Sequence, residues 1–253
     1  MRPQGRRSAA YHLGVTIDPI TFNADAGTRP WVIETVPPLA TAPVQAAAIG
    51  PLASGLDPVL LRWTGADAIS GIARFELSQS TDGRAFTSVS TGLTTSSVIR
   101  NLAPGHTYRF RLRGIDRAGN VGAWMAGRAF TLRAISQSSA AVRYRGTWTT
   151  ARSTTWWGGT ARSSSTLGST ASYTFTGRSI AWVGLKSSNR GKAQIYVNGV
   201  LKSTIDLYSA TTLKQRIVWS ANYATSATRT LTIKVLGTTG RPRVDIDGFI
   251  VGS

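Results

Sequence analysis

Tyr108-Arg109-Phe110-Arg111-Leu112-Arg113 alternates apolar and charged side chains over six residues. In an extended strand, with its period of two, Tyr108, Phe110 and Leu112 share one face and the three arginines share the other. The arginine face must be wet, which leaves the apolar face for a core. The stripe is read as a solvated face paired across strands with Glu76. Upstream, Val59, Leu61 and Trp63 alternate with Leu60, Arg62 and Thr64, and Ala73, Phe75 and Leu77 alternate with Arg74, Glu76 and Ser78. Asp82-Gly83 then marks a tight hairpin, because glycine accepts positive φ.

Downstream a second strand series begins. Tyr173 and Phe175 alternate with Ser172, Thr174 and Thr176. Ile180 to Leu185 is almost continuously apolar, as a strand buried on both faces should be. Ile195 and Val197 lead into Asn198-Gly199, a strong hairpin signal. Leu201, Ser203, Ile205 and Leu207 share one face, and Ile217 with Trp219, Leu231 with Ile233 and Val235, and Val244 with Ile246 follow. With Val142 and Tyr144 this makes about eight strands in roughly 110 residues, the number expected of a jelly roll. No stretch holds a helical period for more than a turn or two. The expected fold class is all-β.

The rest of the composition bounds the chemistry. The chain has 253 residues, 42% of them hydrophobic and 16% charged, and no cysteine. Disulfide scaffolds, thiolate metal sites and thiol nucleophiles are therefore excluded. No run of eighteen apolar residues exists, so no membrane insertion is expected. The first residues are basic but no continuous apolar stretch follows, so no signal peptide is readable. The linker-like start instead suggests a piece of a longer exported protein. The net charge is +18, and from Ala134 onward there are ten Arg, five Lys and three Asp. Such a balance fits attraction to a polyanion, or simply an arginine-rich soluble surface.

Two segments resemble known families. Leu61-Arg62-Trp63, then Leu102-Ala103-Pro104-Gly105-His106-Thr107-Tyr108, then Asp116-Arg117-Ala118-Gly119-Asn120 with Trp124, resemble the fibronectin type III domain. The resemblance implies a core Trp63 and a tyrosine corner in which the Tyr108 hydroxyl bonds back to main chain. Trp182-Val183-Gly184, Arg190 to Gly199, Ile205 to Tyr208 and Gly240 to Asp247 resemble a galactose-binding-like β-sandwich of the carbohydrate-binding-module kind, as found in bacterial secreted multidomain proteins. The expected organisation is an irregular leader or linker over residues 1–42, a fibronectin type III sandwich over 43–133, and an eight-stranded jelly roll over 134–253. A short polar joint is expected at residues 134–140.

An enzyme needs convergent titratable groups, and few are present. The two histidines are His12, in the leader, and His106, at a loop edge, so serine triads lack a base. The two glutamates, Glu34 and Glu76, fall in different parts of the chain, where glycoside hydrolysis needs two carboxylates facing one bond. Asp245 and Asp247 point the same way on a strand and are read as structural, bonding main chain or pairing with Arg243 or Arg190. The resemblance also implies a calcium held by first and last strands, but Val142-Arg143-Tyr144-Arg145 offers arginines instead of acids. No catalytic residue, metal ligand or cofactor is expected.

A glycan site needs a flat apolar platform and nearby polar groups. Trp156-Trp157, before Gly158-Gly159 in a Ser/Thr-rich loop, is the candidate platform, and Trp182 and Trp219 are core. Asn189, Arg190 and Lys192 are candidates for the polar groups. The expected role is a non-catalytic extracellular or cell-surface module that binds polysaccharide or cell-wall glycan beside other domains of a parent protein. The rival readings are a structural spacer or adhesion segment without its own ligand, and charge-driven polyanion binding. Nucleic acid ranks last, because no interleaved basic and aromatic surface motif is present.

Overall fold

A computed structural model describes residues 33–154 and 156–253. Most of the leader, with His12, lies outside the described residues. Of its described part, residues 33–38 have no regular structure, but Leu39–Ala40 pairs with Gly65–Ala66, so the segment is not irregular throughout. Among the described residues there is no α-helix, and the all-β expectation holds. No helix there is long and apolar enough to cross a membrane.

The N-terminal half has seven main strands: β1 (Val44–Ala47), β2 (Asp57–Arg62), β3 (Ile72–Thr81), β4 (Thr87–Leu93), β5 (Ser97–Leu102), β6 (Thr107–Asp116) and β7 (Phe130–Ser136). One antiparallel sheet has the order β1-β2-β5, and the other runs β4-β3-β6-β7. Between them lie Val59, Leu61, Trp63, Phe75, Leu77, Tyr108, Phe110 and Leu112, all buried. These are the apolar members of the alternating stretches. Trp63 meets Phe75 edge-on at 5.8 Å. The Tyr108 hydroxyl donates to the Ala103 carbonyl at 2.9 Å, pinning the β5–β6 connection. On the outer face, Arg113 pairs with Glu76 at 2.6 Å, as the period-two reading requires. Arg111 and Arg113 lie 4.4 and 4.5 Å from the Trp124 ring centroid, so the wet face is also a cation–π stack.

The C-terminal half adds β8 (Val142–Arg145), β9 (Thr149–Arg152), β10 (Thr160–Ser164), β11 (Thr170–Lys186), β12 (Lys192–Val197), β13 (Val200–Asp206), β14 (Leu213–Val235), β15 (Val244–Ile246) and β16 (Gly248–Gly252). The larger sheet runs β13-β12-β14-β11-β16, with β8 also on β11, and the smaller runs β9-β10-β15. Asn198-Gly199 makes the hairpin turn between β12 and β13, with φ of 51° and 77°, the left-handed pair that sequence favours.

The halves are not separated by a linker. Phe130 and Thr131 of β7 pair with β6, while Leu132 to Ser136 pair with β16, so one sheet passes through both halves. The polar joint expected at residues 134–140 is corrected accordingly, since Ala134, Ile135 and Ser136 are strand residues. Gly50–Pro51 further pairs with Arg216 and Ile217 of β14. The apolar run of β11 explains the junction. Ile180 and Trp182 enter the C-terminal core, while Ala181 and Val183 enter the N-terminal one. β16 does the same, with Phe249 and Val251 on one side and Ile250 on the other. Irregularities in the β11–β14 register near Gly177 and Trp182 let these long strands bend between the two cores.

Candidate functional site at one end of the C-terminal sandwich

The Ser/Thr-rich loop between β9 and β10 folds back on itself. Ser153 N–H donates to the Gly159 carbonyl at 3.0 Å, Trp156 N–H to Ser153 at 3.1 Å and Gly159 N–H to Trp156 at 3.0 Å. Gly158 and Gly159, with φ of 76° and 82°, permit this reversal. The reversal turns the indoles inward. Trp156 is 6% exposed, packed with Ala161 and Leu185. Trp157 is half-buried against the N-terminal core, and a Cβ at Gly248 would meet its ring at 3.1 Å. The expectation that this pair offers an indole face to solvent is therefore corrected. Flanking glycines gave the chain freedom to turn, and burial of apolar rings set the direction.

Trp156 nevertheless lines a surface depression of about 380 Å³. Its opposite wall is the segment after β11, where Ser187, Ser188, Asn189 and Arg190 follow one another, and Thr212 and Lys214 close it at the start of β14. The structure thus brings together three of the candidates, Trp156, Asn189 and Arg190. Trp157 faces the junction of the halves, and Lys192, exposed at the start of β12, is not in the wall.

A buried ion pair fixes the wall. Arg190 is 7% exposed, and its Nε donates to Asp245 Oδ2 at 2.5 Å, while Nη1 donates to Asn189 Oδ1 at 2.5 Å. Arg243 Nε donates to the other oxygen of Asp245 at 2.9 Å. Asp245 is completely buried, and two guanidinium groups satisfy it, the arginine pairing that the sequence offered as an alternative to main-chain bonding. Ser187 is tied to Thr212 by a hydroxyl contact of 3.1 Å. The depression is therefore lined by hydroxyls, an amide, two cations and the largely buried Trp156. Among the described residues that line it, none is a carboxylate or a histidine, and its ionisable side chains are those of Arg190 and Lys214.

Asp247, two residues along, is 1% exposed. It accepts the Trp157 N–H at 2.9 Å on Oδ2, and Oδ1 is buried without a partner. Burial pushes its pKa up to about 7.

A second cavity, about 300 Å³, lies where the halves meet and is lined by Val59, Phe130, Leu132, Ile217 and Ile250. Asp57 also borders it, 1% exposed, with both carboxylate oxygens buried and without a hydrogen-bond partner among the described residues. Burial pushes its pKa up to about 7 as well. The sequence reading missed Ser153, Thr212 and Lys214, which are distant in the chain from Asn189. The available signal was the polar run Ser187-Ser188-Asn189 at the abrupt end of an apolar strand.

No family model matches the chain. Two curated relatives come from Flavonifractor plautii. One, named A type blood N-acetyl-α-D-galactosamine deacetylase, is 28% identical over 115 residues, 46% of this chain and 14% of that protein. The other, named A type blood α-D-galactosamine galactosaminidase, is 36% identical over 70 residues, 28% of this chain and 6% of that protein. The chain therefore spans a small part of either. Among solved structures, a CBM36 carbohydrate-binding module in complex with calcium and xylotriose aligns over 49% of this chain and 99% of its own, at 15% identity and a TM-score of 0.32. A Paenibacillus xanthan lyase aligns over 89% of this chain and 27% of its own, at 13% identity and a TM-score of 0.37. None of these similarities is close enough to assign the chain to a family.

Proposed function

We propose that the chain is a non-catalytic accessory region that binds polysaccharide or cell-wall glycan, outside the cell or at its surface, within a longer protein. The observation that carries this reading is the polar depression between the Ser153–Trp156 loop and the Ser187–Arg190 wall. Glycans present many hydroxyls and few charges, and a set of hydroxyl, amide and guanidinium groups beside an indole is matched to them. The absence of any carboxylate or histidine in the lining supports a binding rather than a catalytic role. The sugar-directed names of the two partial relatives agree with it.

The N-terminal half is proposed to be a fibronectin type III domain. Its support is the three-plus-four strand order and the Tyr108 hydroxyl bond to Ala103. In this reading it is a spacer that carries the binding half.

The test is a glycan array with insoluble-polysaccharide pull-down, using the full chain at low and at high salt. Binding that persists as salt rises supports the proposal, because hydroxyl recognition is weakly screened. Binding that collapses with salt marks charge-driven polyanion attachment instead. No binding to any glycan leaves the spacer reading in its place.

A further inference from the structure

The chain has only eleven acidic residues, yet three of them converge far from the depression. Carboxylate oxygens of Glu34, Asp67 and Asp116 lie within 4.8 Å of one another. They come from three separate segments: the strand-free stretch before Leu39, the loop before β3, and the end of β6. No ion pair among the described residues involves any of them. Twenty of the chain's 24 arginines lie among the described residues, and none of these forms an ion pair with the cluster. Arg117, the nearest in sequence, donates from Nη1 to the Ser70 carbonyl at 3.4 Å instead.

Local bonding builds the cluster and does not exhaust it. Asp116 is buried, and its two oxygens accept from the Asn120 backbone N–H at 2.8 Å and side-chain Nδ2 at 2.9 Å. The same Nδ2 donates to the Glu34 carbonyl at 3.1 Å, which draws the Glu34 segment onto the turn. Asp67 receives the Gly71 N–H at 2.6 Å and the Ile69 N–H at 3.3 Å, both on Oδ1. Glu34 supplies the second, independent observation: both of its carboxylate oxygens are shut off from solvent, and neither has a hydrogen-bond partner among the described residues. A buried carboxylate facing two others without a donor is costly unless a cation joins it.

We propose that Glu34, Asp67 and Asp116 hold a calcium ion. The donors are all oxygen, with no histidine or cysteine, which selects a hard cation over zinc or copper. Calcium takes six to eight oxygens in flexible geometry, whereas magnesium prefers one or two carboxylates and retains its waters. Three carboxylates on three separate segments suit the former. The ion would clamp the Glu34 segment and the loop at Asp67 to the end of β6.

The test uses the full chain after treatment with EDTA and exchange into metal-free buffer. Calcium is titrated by calorimetry, and melting temperature is read in EDTA, in calcium chloride and in magnesium chloride. One calcium should bind with a Kd on the order of 10⁻⁴ M or tighter, the range of extracellular modules and sensors, and should raise the melting temperature by several degrees. Glu34→Gln and Asp67→Asn should each weaken calcium binding at least about tenfold, equivalent to 1.4 kcal/mol. In EDTA, Glu34→Gln should melt no lower than the parent, because a repulsion has been removed. The proposal is overturned if the parent chain ignores millimolar calcium, if both variants keep its full response, or if magnesium acts equally well.

Discussion

In the C-terminal half, arginines hold two of the three aspartates: Asp245 lies between Arg190 and Arg243, and Asp206 forms a two-point pair with Arg241 at 2.5 and 2.8 Å. In the N-terminal half, Glu76 and Asp82 have partners in Arg113 and His106, while among the described residues Glu34, Asp67 and Asp116 gather without a cationic partner and the Asp57 carboxylate is buried without a hydrogen bond. The difference does not follow from supply, because both halves are rich in arginine. It follows from position. In the C-terminal half the paired carboxylates sit beside loops that must be fixed, and each pair ties a loop to a strand. In the N-terminal half three of the carboxylates without a cationic partner converge, and Asp57 borders the cavity between the halves. A net charge, even one of +18, therefore says little about where charge is used.

The sharpest way to break this contrast is to open the buried pair. Arg190→Ala leaves Asp245 with Arg243 alone in a site closed to water, and such losses cost about 3–5 kcal/mol. Urea denaturation should show the C-terminal half lowered by that amount. A loss near zero would mean the pair is not the anchor of the Ser187–Arg190 wall. Trp156→Ala should be of similar size, about 3–5 kcal/mol, because it removes a buried indole from the packing of Ala161 and Leu185. A variant that melts like the parent would restore the solvent-facing platform.

Next in size is a pH effect. Asp57 and Asp247 have folded pKa values raised to about 7, above the ordinary carboxylate value of 3.8. Between those limits the folded chain binds more protons than the unfolded one, so stability should rise as pH falls from about 8 to about 5. Asp57→Asn together with Asp247→Asn should flatten that slope, as read from urea midpoints across the range. An unchanged slope would show that neither group is responsible. The smallest effect belongs to Asp206, whose pKa is lowered to about 2, chiefly by the Arg241 hydrogen bonds. Its contribution is present above pH 3.8 and is lost only as pH falls through about 2. Because the pair is partly exposed and screened, Asp206→Asn should change stability little at neutral pH.

Period-two alternation made the strands legible. Tyr108, Phe110 and Leu112 are buried and Arg113 meets Glu76, as six residues of sequence foretold. The unbroken apolar run from Ile180 to Leu185 announced a strand buried on both faces. It did not say that the second face belongs to the other half, because a run of apolar residues carries no address. The joint at Ala134 to Ser136 misled for a related reason, since small and polar residues are equally at home in a linker and in a strand covered on one side. The site was half legible. Asn189 and Arg190 follow a strand end that sequence marks clearly, whereas Thr212 and Lys214 join them only through the β11–β14 pairing. The direction of Trp156 was hidden because Gly158 and Gly159 allow either side of the loop. The carboxylate cluster was invisible, its members being 33 and 49 positions apart.

The central claim is that glycan is bound in the depression at Asn189. The direct measurement is calorimetric titration of the glycan selected by the array into the parent chain, Asn189→Ala with Lys214→Ala, and Lys192→Ala, with melting temperatures alongside. Each truncated contact should weaken binding by about 1 kcal/mol, so the double variant should bind roughly tenfold or more weakly, while its melting temperature falls only by the loss of the Asn189–Arg190 hydrogen bond, about 1 kcal/mol, and it stays folded. Lys192→Ala, outside the depression, should bind as the parent does. A double variant that keeps full affinity, or a loss confined to Lys192→Ala, would contradict the account.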